Sequence, residues 1–109
     1  METIEIAKSL AELGNETRLD IFRLLVKAEP TGLTISEIGS RLYVAPSTLA
    51  FHLKGLVSAN LILQTKQGRS VLCRANLNRI NSIVETLQAE CCRDEKECPH
   101  DRSLAIQAN

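Results

Sequence analysis

No run of apolar residues in this 109-residue sequence is long enough to cross a membrane, and the opening stretch METIEIAKSL carries acids where an export signal carries bases. A cytoplasmic address is therefore expected, a compartment in which thiols stay reduced. No net charge is left over either, since thirteen Lys and Arg balance thirteen Asp and Glu, so bulk charge names no partner. Repeats are absent, and no linker is long enough to separate one domain from another. One hydrophobic core of ordinary size is expected.

The most telling absence is local. From Ile38 to Val84 there is no Asp or Glu, yet Arg41, Lys54, Lys66, Arg69, Arg74 and Arg79 all fall inside. That middle section carries six positive charges, so the two flanks together carry six negative ones. Chance scatter of solvated charges is one account of this. An electropositive surface for a polyanion is the sharper one.

Periodicity gives the order of elements. Ile6, Leu10 and Leu13 stand at helical spacing before Gly14; Asn15 then caps a helix with Leu19, Phe22, Leu25 and Val26 as its apolar set. Thr34-Ile-Ser-Glu37 matches a capping box for a short helix ending near Leu42, and Pro46 suits the first position of the next. Asn60 stands where a helix ends in a left-handed residue. Leu61–Lys66 and Ser70–Arg74 read as strands around Gln67-Gly-Arg69, and a last amphipathic helix begins near Leu77, with Ile80, Ile83, Val84, Leu87 and Cys91 on one stripe. The expected fold is mainly α with one β-hairpin, in the order α-α-α-α-β-β-α. Residues 1–92 form one domain in this reading, and 93–109 a loop and flexible tail.

The two short helices joined by Tyr43-Val-Ala make a helix-turn-helix, and the hairpin supplies a wing. On a helical wheel Leu49, Leu53, Leu56 and Val57 face inward, leaving Ser47, Phe51, Lys54 and Ser58 outward, with Thr48 and Ala50 at the edges. An outward phenylalanine can meet a thymine methyl while Ser47 and Thr48 bond bases or phosphates and Lys54 neutralises a phosphate. Packing of Phe51 under the wing is the other reading. His52 is balanced between a structural histidine and a phosphate contact. Lys66 and Arg69 at the hairpin tip point to a minor groove or to backbone phosphates, unless they form a bare turn. Cys73, with Val71 and Ala75 on its strand face, reads as a small buried hydrophobe.

Three stretches, Leu13-Gly-Asn-Glu-Thr-Arg-Leu-Asp-Ile-Phe-Arg-Leu-Leu25, Ser47-Thr-Leu-Ala-Phe-His-Leu-Lys-Gly-Leu56 and Gln67-Gly-Arg69, together resemble the ArsR/SmtB winged-helix repressors. The resemblance covers roughly residues 4–90. It implies a homodimer, paired through the first and last helices, that binds a two-fold operator in double-stranded DNA and releases it when an inducer binds. The sequence departs from the family pattern at Ala50, often serine there, and at Asn60, usually glycine.

The inducer must be argued from residues. Thr34-Ile-Ser-Glu-Ile-Gly39 has no thiol, so the third-helix site of some arsenic sensors is absent; Asn78–Leu87 has no His or Asp, so the last-helix zinc site is absent too. What remains is Cys91, Cys92 and Cys98 in AECCRDEKECPHD. Three thiolates suit a soft three-coordinate ion: arsenous acid exchanges three hydroxyls for three sulfurs and keeps its lone pair, and Sb(III) behaves alike. Zinc or cadmium with His100 as a fourth ligand, copper(I), or a thiol redox or sulfide sensor are the alternatives. The cluster also resembles the arsenic-responsive branch of the family. Helix through Cys98 would separate Cys91 and Cys98 by about 10 Å along the axis, so the helix is expected to end near Cys92, and capture of Cys91 with Cys92 to distort its last turn. An oxidoreductase or arsenate reductase is disfavoured. Reactive thiols prefer electropositive settings, and Glu90, Asp94, Glu95 and Glu97 surround these.

Overall fold

Local signals set the boundaries of the helices in the computed structural model, which describes residues 1–94. Helix α1 spans Thr3–Leu13 and stops at Gly14; α2 spans Glu16–Lys27, with the Asn15 side chain accepting from the Arg18 backbone N–H. A short strand β1, Leu33–Thr34, leads straight into α3, Ile35–Leu42. The expected capping box is there: the Glu37 N–H donates to Thr34 Oγ1 at 3.2 Å, and the Thr34 N–H donates to the Glu37 carboxylate at 2.9 Å. The backbone bond from Thr34, more than any other cause, holds the Glu37 acid below its ordinary range.

Helix α4 spans Pro46–Ser58 with proline in the first turn. It ends in a Schellman closure: Asn60 sits at φ 60°, and the N–H groups of Asn60 and Leu61 donate to the carbonyls of Val57 and Leu56 at 2.9 and 3.0 Å. The left-handed residue expected at Asn60 is in place.

Strands β2, Ile62–Gln67, and β3, Ser70–Ala75, pair antiparallel around Gly68-Arg69, as expected of a wing. One correction is needed. β1 adds a third strand, Leu33 opposite Cys73, in the order β1-β3-β2; two residues are too few to leave an alternating pattern. Gly32 precedes it at φ +79°, where a Cβ would lie 2.5 Å from the Cys73 carbonyl oxygen, so no larger residue fits. Helix α5 follows at Leu77–Ala89.

The core lies under α4, where Leu49, Leu53 and Leu56 meet Ile21, Phe22 and Leu25 of α2. On α2 the buried set thus includes Ile21, while Leu19 and Val26, expected inside, are exposed. On α1, Ser9 is buried and Leu10 is exposed. Both shifts share a cause: these helices carry more apolar residues than the chain buries, so the wheel's centre of hydrophobicity does not mark the core. Cys73 is fully buried, as expected, and burial pushes its thiol up although Gln64 Nε2 donates to the sulfur at 3.6 Å.

Candidate nucleic-acid interface and thiol cluster

Ser47, Thr48, Ala50, Phe51 and Lys54 are all exposed on α4, the two hydroxyls in its first turn. The first N–H groups of a helix have no intrahelical acceptor, and no acid stands in this turn to satisfy them. The helix start therefore offers donors and the positive end of the helix dipole. Phe51 is 65% exposed. The Arg18 guanidinium of α2 lies 5.4 Å from its ring centroid.

His52 is different. It is only 9% exposed, and its Nδ1 accepts a hydrogen bond from Arg18 Nε at 3.1 Å. The packing reading of His52 is the one the geometry supports, and it leaves the DNA-facing set. Arg18 Nη1 also binds Glu12 of α1 at 2.8 Å, so one guanidinium joins α1, α2 and α4. Gly55 of α4 makes room for this node, since a Cβ there would meet Glu12 Oε2 at 2.5 Å. The sequence reading passed over Arg18, although a signal was present. A cation in the first turn of a helix opposes the dipole, and such a residue needs a tertiary partner.

On the wing, Lys66 and Arg69 are exposed. Two other cations of the acid-free section are engaged within the chain: Arg74 binds Glu29 at 2.7 Å, and Arg79 Nε donates to Ser9 Oγ at 3.2 Å. The segregated charge available to a polyanion is therefore smaller than the sequence count, and it is carried by Arg41, Lys54, Lys66 and Arg69. The exposed apolar residues gather elsewhere. Ile4 and Leu10 of α1 and Leu77, Val84 and Leu87 of α5 are open to solvent, and a groove between the two helices runs past Ile6, Leu10, Thr86, Leu87 and Glu90.

Beyond α5, Cys91 and Cys92 stand in a turn with their sulfurs 3.3 Å apart. Cys98 and His100 lie outside the described residues, and among the described ones no three His, Cys, Asp or Glu converge. One expectation changes. The helix has already ended at Ala89 and Cys92 adopts φ 64°, so bringing these two sulfurs together requires no unwinding of α5.

Residues 13–65 match the family model of a helix-turn-helix domain. An ArsR-like transcriptional regulator from Rhodococcus sp. RHA1 superposes with a TM-score of 0.71 at 29% identity, over 95% of this chain and 90% of that one. The fold is a winged helix-turn-helix that matches this ArsR-like structure. The transcriptional activator HlyU of Vibrio cholerae is 29% identical over 84 residues, 77% of this chain and 75% of HlyU. A HlyU structure superposes on this winged helix with a TM-score of 0.65 at 26% identity, covering 84% and 99% of the two chains. The reduced form of HlyU gives 0.63 at 24%, covering 82% and 92%. No described helix is long and apolar enough to cross a membrane.

Proposed function

We propose that this chain is a transcriptional repressor that binds a palindromic operator as a homodimer and releases it when As(III) or Sb(III) binds Cys91, Cys92 and Cys98. The observation that carries the DNA-binding reading is Phe51, an aromatic ring exposed on an otherwise polar helix face within a section that has no acids. In the major groove that ring meets thymine methyls, Ser47 and Thr48 bond base edges or phosphates, and Lys54 neutralises a phosphate. Lys66 and Arg69 on the wing hold the flanking backbone or minor groove. The second copy covers the apolar residues of α1 and α5, which one protomer leaves open.

The placement of Cys91 and Cys92 in the turn that follows α5 supports the sensing role. Glu90, immediately before them, lines the α1–α5 groove, so an ion that fixes the following chain acts at the edge of the dimer face. Release follows only if the ion binds the DNA-free and DNA-bound dimers differently.

A thiol redox sensor is the second reading. Cys92 is held in a disulfide in this structure, and HlyU, at 29% identity, has been solved in a form described as reduced. The regulators among the structural neighbours give an oxidoreductase no support.

One experiment separates these readings. An operator duplex, selected from a random pool with the reduced protein, is titrated with As(III), Sb(III), Zn(II), Cd(II) and Cu(I) in a non-thiol reductant, and separately with oxidant alone. Release by As(III) and Sb(III) under reducing conditions supports the metalloid reading. Release by oxidant alone supports the redox one, and failure to select any duplex overturns DNA binding itself.

A further inference from the structure

We propose that Arg18 is a positioning residue that locks the reading helix to the dimerisation helix through a neutral His52, so that acidification weakens operator binding. The inference rests on the DNA-binding reading above and extends it to how the reading head is held. The geometry is specific. Arg18 spends Nη1 on Glu12 of α1 at 2.8 Å and Nε on His52 of α4 at 3.1 Å, and its plane lies near the Phe51 ring at 5.4 Å from the centroid. It therefore grips both the residue that reads and the buried residue beside it. A second tie runs parallel to the first: Arg79 of α5 donates to Ser9 of α1, whose hydroxyl points to the Ala59 carbonyl at the end of α4, 3.5 Å away. Of the two helices left with open apolar faces, α1 is thus tied to the helix that bears Phe51, and α5 is tied to α1.

The bond from Arg18 has a chemical condition. His52 Nδ1 can accept it only while unprotonated. A proton there converts an acceptor into a donor facing a guanidinium, and the charged groups packed at this node are Arg18 from α2 and, behind it, Glu12 from α1. One carboxylate then faces two cations. The lock opens, and Phe51 loses its fixed position. The sign matters: a histidine that touched phosphate would strengthen DNA binding when protonated, whereas protonation of His52, acting through Arg18, weakens it.

The test measures affinity for the selected duplex and for a scrambled duplex of equal length, from pH 8 to pH 5.5 at constant ionic strength. The ratio of the two affinities is expected to fall on the order of tenfold, the effect of one charge-assisted hydrogen bond. Asn presents an oxygen where Nδ1 stands and does not titrate, so His52→Asn is expected to abolish the pH response. His100→Asn, at the other histidine, is expected to keep it. Arg18→Lys cannot bond Glu12 and His52 in the same fork, so it is expected to lower the ratio already at pH 8 without moving the pH 8 melting temperature as a core truncation would. A wild-type ratio that stays level or rises on acidification overturns the proposal, as does a His52→Asn variant that responds like wild type. Either result leaves DNA binding intact, whereas absence of duplex-specific binding at pH 8 sinks the functional reading instead.

Discussion

Along α4, Leu49, Leu53 and Leu56 are no more than 2% exposed while Phe51 between them is 65% exposed; from Val84 to Asp94, by contrast, no residue is buried. At the first of these places the core dictates where every outward side chain points, and the helix start, its Schellman closure and the Arg18 node fix its ends and middle. At the second, Cys91 and Cys92 stand in a turn past the last helical residue, next to Glu90 of the α1–α5 groove. A reading head must hold side chains to a fraction of an ångström against base edges, which packing achieves. Rearrangement on ligand binding, which the proposed sensing role requires, is easier where burial is low.

That contrast implies a double dissociation, and the largest effect is expected in the core. Leu56→Ala, at a fully buried position, is expected to cost about 2–5 kcal/mol in thermal or denaturant unfolding, whereas Cys91→Ser should stay within about 0.5 kcal/mol of wild type. Comparable losses from both would erase the distinction. Gly32→Ala comes next. Its left-handed φ and the Cys73 carbonyl in its way are expected to cost roughly 1–3 kcal/mol, again read by unfolding, and with it the join between β1 and the wing.

Lys54→Ala sharpens the contrast from the DNA side. It is expected to weaken binding across sequences and to lower the salt slope of log K by about one unit, with the metalloid response retained. Smallest is Thr34→Ala, at a capping box on α3: about 1 kcal/mol in denaturant unfolding for the lost cap. Its pH signature follows from the depressed Glu37 acid. A carboxyl lowered on folding contributes stability above its unfolded value of 4.5 and loses it as pH falls through the lower folded value. Wild type should therefore lose stability below pH 4.5 more steeply than Thr34→Ala.

Most of the reading end was legible in the sequence because its determinants are local. The Thr34–Glu37 box, Pro46, Asn60 and the Gly68 turn each act within a few residues, and the α4 stripe has helical period. What escaped was tertiary. β1 is set by pairing with Cys73 and Leu72 across some forty residues, and His52 by a guanidinium 34 positions away. The burial of α1 and α2 was misjudged where a helix has two apolar sides, as at Ser9 against Leu10. At the thiol end the residue types were plain, but the exact end of α5 was not, because nothing near Ala89 stops a helix by chemistry alone.

In the proposed function, α4 and the wing carry the output and the cysteines that follow α5 carry the input. The most direct measurement of that division is the operator affinity of the reduced protein with and without saturating As(III), compared with that of a variant carrying Cys91→Ser, Cys92→Ser and Cys98→Ser. The expected result is a loss of about 5- to 150-fold on As(III) addition for wild type, and no change for the variant, which binds the operator as tightly as the ion-free wild type. A variant that still releases DNA with As(III), or a wild type that does not, contradicts it.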